Sequence, residues 1–296
     1  CIVKDVKNLA RTVREAFHIA STGRQGPVLI DLPVDIEVAK CRTDGSKEME
    51  LPGYRIRTKG HSKQISTAAK AINKSERPVL YVGGGVISAN ATKELRAFAE
   101  KAHLPVTMTL LGLGSYDQNR PESLDMLGMH GSAYANYAVQ ECDLLIAVGA
   151  RFDDRVTGKL KTFAQNAQII HIDIDPASIS KLVNADYPIV GDVKGVVAEM
   201  IELAKEQVDP QRYAPWLETV EHFDKLHPLR YIEDSERIKP QWVIERVGEL
   251  LGDDANISTD VGQHQMWAAQ FYPFTRPRQW VSSGGLGTMG FGFPAA

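Results

Sequence analysis

Two arginines and two aspartates crowd one short run, Gly149-Ala-Arg-Phe-Asp-Asp-Arg-Val-Thr-Gly158, directly after an apolar stretch, Leu144-Leu-Ile-Ala-Val148. A guanidinium presents planar pairs of donors that match phosphate or carboxylate oxygens, and a carboxylate can orient such a guanidinium or accept from a sugar hydroxyl. On an ordinary surface loop the same four residues make a salt-bridge cluster. At the end of a parallel strand, where open α/β sheets bind ligands, they favour an anionic ligand. A P-loop is excluded, because Asp153 stands where its first glycine is required and Leu160 where it needs Ser or Thr.

Gly83-Gly84-Gly85 follows a second apolar run, Val79-Leu-Tyr-Val82, and precedes a helical pattern. Glycine there lets a diphosphate approach the backbone; read without its context, the tripeptide is equally a plain tight turn. Ser88 replaces the third glycine of a dinucleotide fingerprint, and the next strand ends in Thr109-Leu110-Leu111 instead of an acidic residue, so a nicotinamide dehydrogenase is disfavoured. His130 and His264 are flanked by glycine in turns, and no spacing among the histidines makes a metal pair. No metal site is expected. Neither a G-x-S-x-G elbow nor a cysteine set beside a base argues for nucleophilic hydrolysis.

The elements that must carry these residues alternate. Helical patterns near 62–73, 91–102, 133–139 and 193–205 separate apolar strands at 79–82, 106–109, 144–148 and 169–173. Continuous apolar strands separated by helices predict a parallel sheet covered on both faces, and the right-handed crossover rule makes it doubly wound. The chemistry-bearing residues, including Leu111-Gly-Leu-Gly114 and Asp173-Ile-Asp175, all fall at the carboxyl ends of its strands. Before it, a helix with apolar positions Val6, Leu9, Val13 and Phe17 leads to Pro27-Val-Leu-Ile-Asp-Leu32, which reads as a buried strand. After it, a helix over 240–251 and a strand over 256–259 begin another αβ unit. The charged, Pro- and Gly-containing stretches 41–60 and 206–235 read as linkers.

The 43% apolar and 24% charged composition is that of a folded globular chain, and 296 residues suggest about two domains. A formal net charge of −3 supplies no positive surplus for nucleic acid or an anionic membrane surface, and no apolar run approaches the ~20 residues of a membrane span. Three cysteines with no C-x-x-C spacing suggest neither a disulfide framework nor a zinc site, so the cytoplasm is expected. The sequence begins at Cys1 and stops in Phe291-Gly-Phe-Pro-Ala-Ala296, a glycine-rich turn running into a helix start, so it reads as an internal piece of a longer chain.

Eight runs in order resemble the acetolactate synthase (acetohydroxyacid synthase) large-subunit family. They are Gly26-Pro-Val-Leu-Ile-Asp-Leu-Pro-Val-Asp-Ile36, Pro78-Val-Leu-Tyr-Val-Gly-Gly-Gly85, Thr109-Leu-Leu-Gly-Leu-Gly-Ser-Tyr116, Leu127-Gly-Met-His-Gly131, Arg151-Phe-Asp-Asp-Arg-Val-Thr-Gly158, His171-Ile-Asp-Ile-Asp175, Asp260-Val-Gly-Gln-His-Gln-Met-Trp267 and Gly284-Gly-Leu-Gly-Thr-Met-Gly-Phe-Gly292. The resemblance implies a thiamine-diphosphate enzyme of branched-chain amino-acid biosynthesis that also carries FAD and magnesium. Its reaction would be the decarboxylating condensation of pyruvate with a second 2-oxoacid, pyruvate or 2-oxobutyrate. It further implies that 1–40 end a pyrimidine-binding domain, 61–205 form the central FAD-binding domain and 236–296 begin a diphosphate-binding domain.

By the same resemblance, FAD contacts are expected at Arg24, Gly84, Thr109, Leu110, Leu127, Gly128, Met129, His130, Gly149, Ala150, Arg151, Phe152, Asp153, Asp173, Ile174, Asp192 and Val193. Gln263 and His264 are expected near the thiamine diphosphate group, and Gly287, Thr288 and Met289 against its aminopyrimidine. Asp154 and Arg155 align with the pair lining the family's substrate channel, with Arg155 for the second substrate's carboxylate. The activating glutamate would lie before Cys1 and the magnesium ligands after Ala296, the nearest lookalike being Thr43-Asp44-Gly45-Ser46. The piece alone is therefore expected to be inactive. A homodimer or tetramer with a small regulatory subunit is implied by the family alone. Two other readings stay open: a redox flavoenzyme of the pyruvate oxidase kind, and a non-catalytic nucleotide-binding module.

Overall fold

The three- and four-residue apolar spacing near the N-terminus closes into helix α1 (Leu9–Ser21), entered through a 3-10 turn over Val6–Asn8 in which the Asp5 carboxylate accepts from the Lys7 N–H at 2.9 Å. In the computed structural model, which describes residues 1–42, 45, 48–207 and 210–296, this helix belongs to the first of two compact units, Cys1–Thr58 and Lys59–Ala296. Thr43, Asp44 and Ser46 of the T-D-G-S lookalike, and parts of both expected linkers, lie outside the described residues.

The first unit holds α1 and a short helix α2 (Val34–Val38). The buried strand expected over 27–32 is absent. Only a single parallel bridge, Ile2 to Asp31, forms there, and Leu29 is 81% exposed. A parallel strand acquires its ladder and burial from neighbours on both sides, and among the described residues of this unit only the backbone of Cys1–Val3 runs alongside.

The second unit begins with α3 (Ser62–Lys74) and β1 (Pro78–Val82), followed by α4 (Gly84–Ser88), α5 (Thr92–Ala102), β2 (Val106–Met108), β3 (Ser123–Met126), α6 (Ala133–Glu141) and β4 (Leu144–Val148). It continues with α7 (Asp154–Thr157), β5 (Gln168–Asp173), β6 (Tyr187–Val190), α8 (Val193–Gln207) and α9 (Ala214–Leu226). Every side chain of β1 and β4 is buried, as strands covered on both faces require. The six strands are all parallel in the order β3-β2-β1-β4-β5-β6. Leu80, Val82, Ile146 and Ile172 point into one apolar cluster with residues of α3, α5 and α8. Val79, Tyr81, Leu145 and Ala147 point into another with residues of α6 and with Trp216 and Val220 of α9. This is the doubly wound α/β sheet expected from the sequence, with strand order reversing between β1 and β4.

A smaller layer follows: α10 (Pro240–Leu251), β7 (Ile257–Thr259), α11 (Gln263–Phe271), β8 (Trp280–Ser282) and α12 (Gly292–Ala295), with β7 and β8 parallel. Among the described residues no helix is long and apolar enough to cross a membrane.

At the other end of the sheet from the glycine loops, the Asp143 carboxylate gathers the entry to β1. It accepts from Ser75 Oγ at 2.5 Å, from the Glu76 N–H at 2.8 Å and from the Arg77 N–H at 2.9 Å. Its own backbone bonds to Arg77 O and to the Gln168 N–H, so one residue registers the starts of β1, β4 and β5. Asp143→Ala should lower the unfolding free energy in urea by about 2–3 kcal/mol, because charge-assisted bonds are lost and two amides are left without their acceptor. A midpoint unchanged from the parent chain would show that the three bonds contribute nothing net.

Candidate functional site

The strand-order reversal opens a crevice whose floor is backbone. Gly83, in extended conformation, donates its N–H to Val148 O at 2.9 Å, and Gly85 donates to Gly149 O at 3.0 Å. A Cβ on Gly83 would lie 2.2 Å from Gly149 O, and one on Gly149, whose φ is +59°, would lie 2.8 Å from Gly85 Cα. The β1 and β4 ends cross so closely that neither position admits a side chain. The turn after β2 closes against them: Thr109 donates its N–H to Val82 O at 2.8 Å, and a Cβ on Gly84 would stand 3.1 Å from Leu111 Cβ.

From Gly149 onward the arginine-bearing loop alternates in and out. Ala150 and Phe152 are buried, at 3% and 1% exposure, whereas the Arg151 side chain is exposed and Asp153 is half-buried. Phe152 has a φ of +56°, left-handed backbone that a bulky residue rarely adopts. Its ring is packed edge-on to His171 at 5.0 Å between centroids, tilted on Tyr81 at 5.5 Å, and edge-on to Phe163 at 6.1 Å. Burial lowers the His171 pKa, and because a carbonyl oxygen can only accept, Nε2 carries a proton and donates it to Ala150 O at 2.8 Å.

Arg151 Nη2 reaches Asp153 Oδ2 at 2.5 Å. Asp153 Oδ1 also accepts the Arg155 N–H at 3.2 Å, capping α7. Partial burial pushes the Asp153 carboxyl up, but that N–H, a side-chain hydrogen bond with Asp154 and the two guanidinium groups outweigh it and hold the group below the ordinary carboxylate range. Asp154 and Arg155 project into solvent, Arg155 Nε lying 3.9 Å from Asp154 Oδ1.

The Leu127–Gly131 turn seats on this loop. Met129 donates its N–H to Arg155 O at 2.8 Å, and Gly128, at φ +93°, would place a Cβ 2.6 Å from the same oxygen. Asn136 clamps Gly128 from both sides, accepting its N–H and donating to its carbonyl, each at 3.0 Å. The result leaves Met129 59% exposed and His130 exposed beside the crevice loops. At the next strand end, Asp173 accepts the Asp175 N–H at 2.8 Å, with Ile174 half-buried beside it, and Asp192 caps α8 through the Lys194 N–H at 3.0 Å.

Of the expected contact residues, Leu127, Ala150, Phe152 and Val193 have their side chains in the apolar cores, where they support the loops. Arg24 lies in the turn after α1 on the first unit. In the smaller layer, Gln263 and His264 stand exposed at the start of α11, and Gly287, Thr288 and Met289 are exposed in the loop after β8. That loop is tied by Gly287 N–H to Ser283 O at 2.7 Å and Thr288 N–H to Ser283 Oγ at 3.1 Å. Asn136, His171 and Gln265, whose Nε2 donates to Ser282 Oγ at 2.6 Å, are the supports that motif reading missed. A polar residue one or two helical turns from a glycine motif was the available signal for Asn136 and Gln265.

Residues 65–200 match the central domain of the thiamine pyrophosphate enzymes, and residues 260–296 match their C-terminal TPP binding domain. The chain belongs to the thiamine pyrophosphate enzyme family. It is 49% identical over 298 residues to the acetolactate synthase large subunit of Mycobacterium tuberculosis, covering 100% of this chain and 48% of that protein. It is 47% identical over 297 residues to the acetolactate synthase large subunit of Buchnera aphidicola, covering 100% and 52%. It is 46% identical over 299 residues to the chloroplastic acetolactate synthase 1 of Zea mays, covering 100% and 47%. The chain thus spans about half the length of the curated relatives it matches.

For a thiamine pyrophosphate enzyme that also holds a flavin nucleotide, the donor set at the crevice fits. An exposed guanidinium at Arg151 suits a diphosphate, strand-end carboxylates at Asp173 and Asp192 suit hydroxyls, and Met129 with His130 offers soft, flat surface to a ring. Among the described residues no group of three or more His, Cys, Asp or Glu could hold a metal ion.

His171 makes the stability of this loop depend on pH. A folded-state pKa below the ordinary 6.5 means that the unfolded chain takes up the proton first, so stability is full above 6.5 and is lost as pH falls below it. Urea midpoints should therefore fall between about pH 7.5 and about pH 5.5, and His171→Gln should flatten that slope. Identical slopes in the two proteins would show that His171 is not the group responsible.

Proposed function

We propose that this chain is the flavin-binding segment of an acetolactate synthase large subunit, joined to the start of its thiamine-diphosphate domain. The observation that carries the reading is the loop Arg151–Gly158, seated at the strand-order reversal with Arg151 turned outward, in a chain similar along its whole length to acetolactate synthase large subunits. The division follows the same reading: 1–40 end a pyrimidine-binding domain, 61–205 hold FAD, and 236–296 open the diphosphate-binding domain.

Arg151 neutralises the FAD diphosphate while Asp153 fixes its guanidinium plane. Asp173 and Asp192 accept from hydroxyls of the nucleotide, and Gly84, Gly149 and Thr109 supply backbone close enough for it to lie flat on the crevice floor. Met129 and His130 border the ring. On the smaller layer, Gln263 and His264 approach the thiamine diphosphate group and Gly287 to Met289 its aminopyrimidine. Thiamine diphosphate, when bound, supplies the carbon nucleophile and electron sink for decarboxylating pyruvate and joining it to a second 2-oxoacid. Arg155, exposed and paired only loosely with Asp154, orients the second substrate through its carboxylate. FAD is structural in this reading, since the net reaction moves no electrons.

The proposal includes a homodimer or tetramer completed by a small regulatory subunit, and a cytoplasmic setting; the Zea mays relative is designated chloroplastic.

Titrating FAD into the purified chain tests the site. Flavin absorbance and fluorescence should saturate, and Arg151→Ala should weaken binding about tenfold or more, the loss expected for one charge-assisted contact to a phosphate. Equal affinity in the variant would remove Arg151 from the site. Acetolactate formation from pyruvate by the intact large subunit, with the flavin remaining oxidised through turnover, tests the reaction; reduction of the flavin at the turnover rate would assign the chain to redox chemistry instead.

A further inference from the structure

Phe152 presents a problem that the proposed cofactor site does not itself explain. A bulky side chain at a φ of +56° is strained, and such a conformation persists only where its surroundings over-determine it. Glycine would adopt it freely, as Gly149 does three residues earlier at +59°. With phenylalanine, the same backbone turn comes with a ring that is 1% exposed and fixed between Tyr81, Phe163 and His171.

The two rings from the strands on either side of β4 are not equivalent. Tyr81, on β1, packs against Phe152, but its buried hydroxyl has no hydrogen-bond partner among the described residues, so it holds the loop by contact alone. His171, on β5, meets Phe152 edge-on and also donates Nε2–H to Ala150 O. It grips the loop at two successive places, a backbone carbonyl and the next inward side chain. Arg151 lies between those two grips and Asp153 directly after the second, so neither can rotate inward without releasing one of them.

Resting on the flavin-site reading above, we infer that His171 is a positioning residue: it touches no ligand, and its double grip on Ala150 O and the Phe152 ring holds the left-handed turn that presents Arg151 and Asp153 to the nucleotide. Pre-fixing those side chains removes the ordering cost that a mobile loop would incur on binding.

The test combines FAD affinity with amide hydrogen exchange over residues 149–157. In His171→Leu, which leaves the Ala150 carbonyl without its donor, exchange in 149–157 should quicken while β4 stays protected, and FAD should bind about tenfold more weakly. His171→Gln, which retains a side-chain N–H, should recover most of both losses. Tyr81→Phe should change neither. If His171→Leu fails to fold, Phe152→Gly, which keeps the turn accessible but removes the anchor, should show the same local quickening.

Unchanged exchange and affinity in His171→Leu, or in Phe152→Gly where that variant stands in, would overturn the inference. Loss of both spread uniformly over the sheet would also overturn it, by making His171 a general stabiliser. Should the parent chain bind no FAD while His171→Leu still loosens 149–157 alone, the flavin reading falls and the positioning role of His171 stands.

Discussion

Everything at the crevice depends on how closely two strand ends approach. Gly83 and Gly149 meet backbone to backbone, at a separation where a Cβ on Gly83 would sit 2.2 Å from Gly149 O. Because β1 and β4 are adjacent and parallel, their following loops leave the sheet side by side at the point where the chain order reverses. With side chains there, the loops would splay, the Gly85 N–H would lose Gly149 O, and the run from Ala150 to Arg155 would leave the sheet in another direction. The Leu127–Gly131 turn, which reads that direction through Arg155 O, would lose its seat as well. A few glycines thus fix the geometry of charged residues up to six positions away.

The smaller layer is registered on this sheet by a comparable economy of backbone contacts. Arg96 donates to Ser115 O at 3.1 Å, Gly114 O at 2.9 Å and Thr275 O at 2.6 Å, tying the turn after β2 to the segment before β8. Gly114, at φ +81°, lets Arg276 O approach to where a Cβ would be 2.1 Å away. Gln118 donates to Asp125 Oδ1 at 3.0 Å and accepts the Phe274 N–H at 2.7 Å. Guanidinium and amide groups suit this task because each satisfies several carbonyls at once, and buried carbonyls between two layers would otherwise stay unpaired. The Thr109–Gly114 turn is consequently shared: it walls the crevice on one side and faces Gly284, in the loop after β8, on the other, with a Gly284 Cβ falling 2.9 Å from Leu111 Cδ2.

The central sheet is legible because β1 and β4 are continuous apolar runs with no competing period, and β5 keeps three isoleucines in its six residues. Two edge strands are not. β3 alternates half-buried and buried residues and includes Asp125 at φ +57°, and β6 contains Pro188, which an edge strand tolerates and which reads locally as a break. Helix α9 reads in the sequence as linker because Pro215 and its charges resemble one, yet proline belongs in a first helical turn, and Trp216 and Val220 bury against the sheet. Residues 27–32 show the opposite error. Their composition is that of a buried strand, but burial is a property of neighbours, and composition cannot supply them.

Motif reading picks out the charged residues of the loop after β4 more readily than the residues that support them. Arg151 and Asp153 announce themselves by type, whereas Phe152 and His171 look like ordinary core, and only a backbone angle, an aromatic edge and one carbonyl distinguish them from it. The asymmetry has a physical origin. Groups that meet a ligand must differ chemically from the surface around them, so their identities carry information. Groups that hold them act through packing and single buried hydrogen bonds, which many residue types could make and only the fold specifies. Asn136 illustrates the middle case: its amide closes both hydrogen bonds on Gly128 because a glycine turn leaves donor and acceptor side by side. The more a residue's role consists of satisfying backbone, the less its type reveals that role before the backbone's path is known.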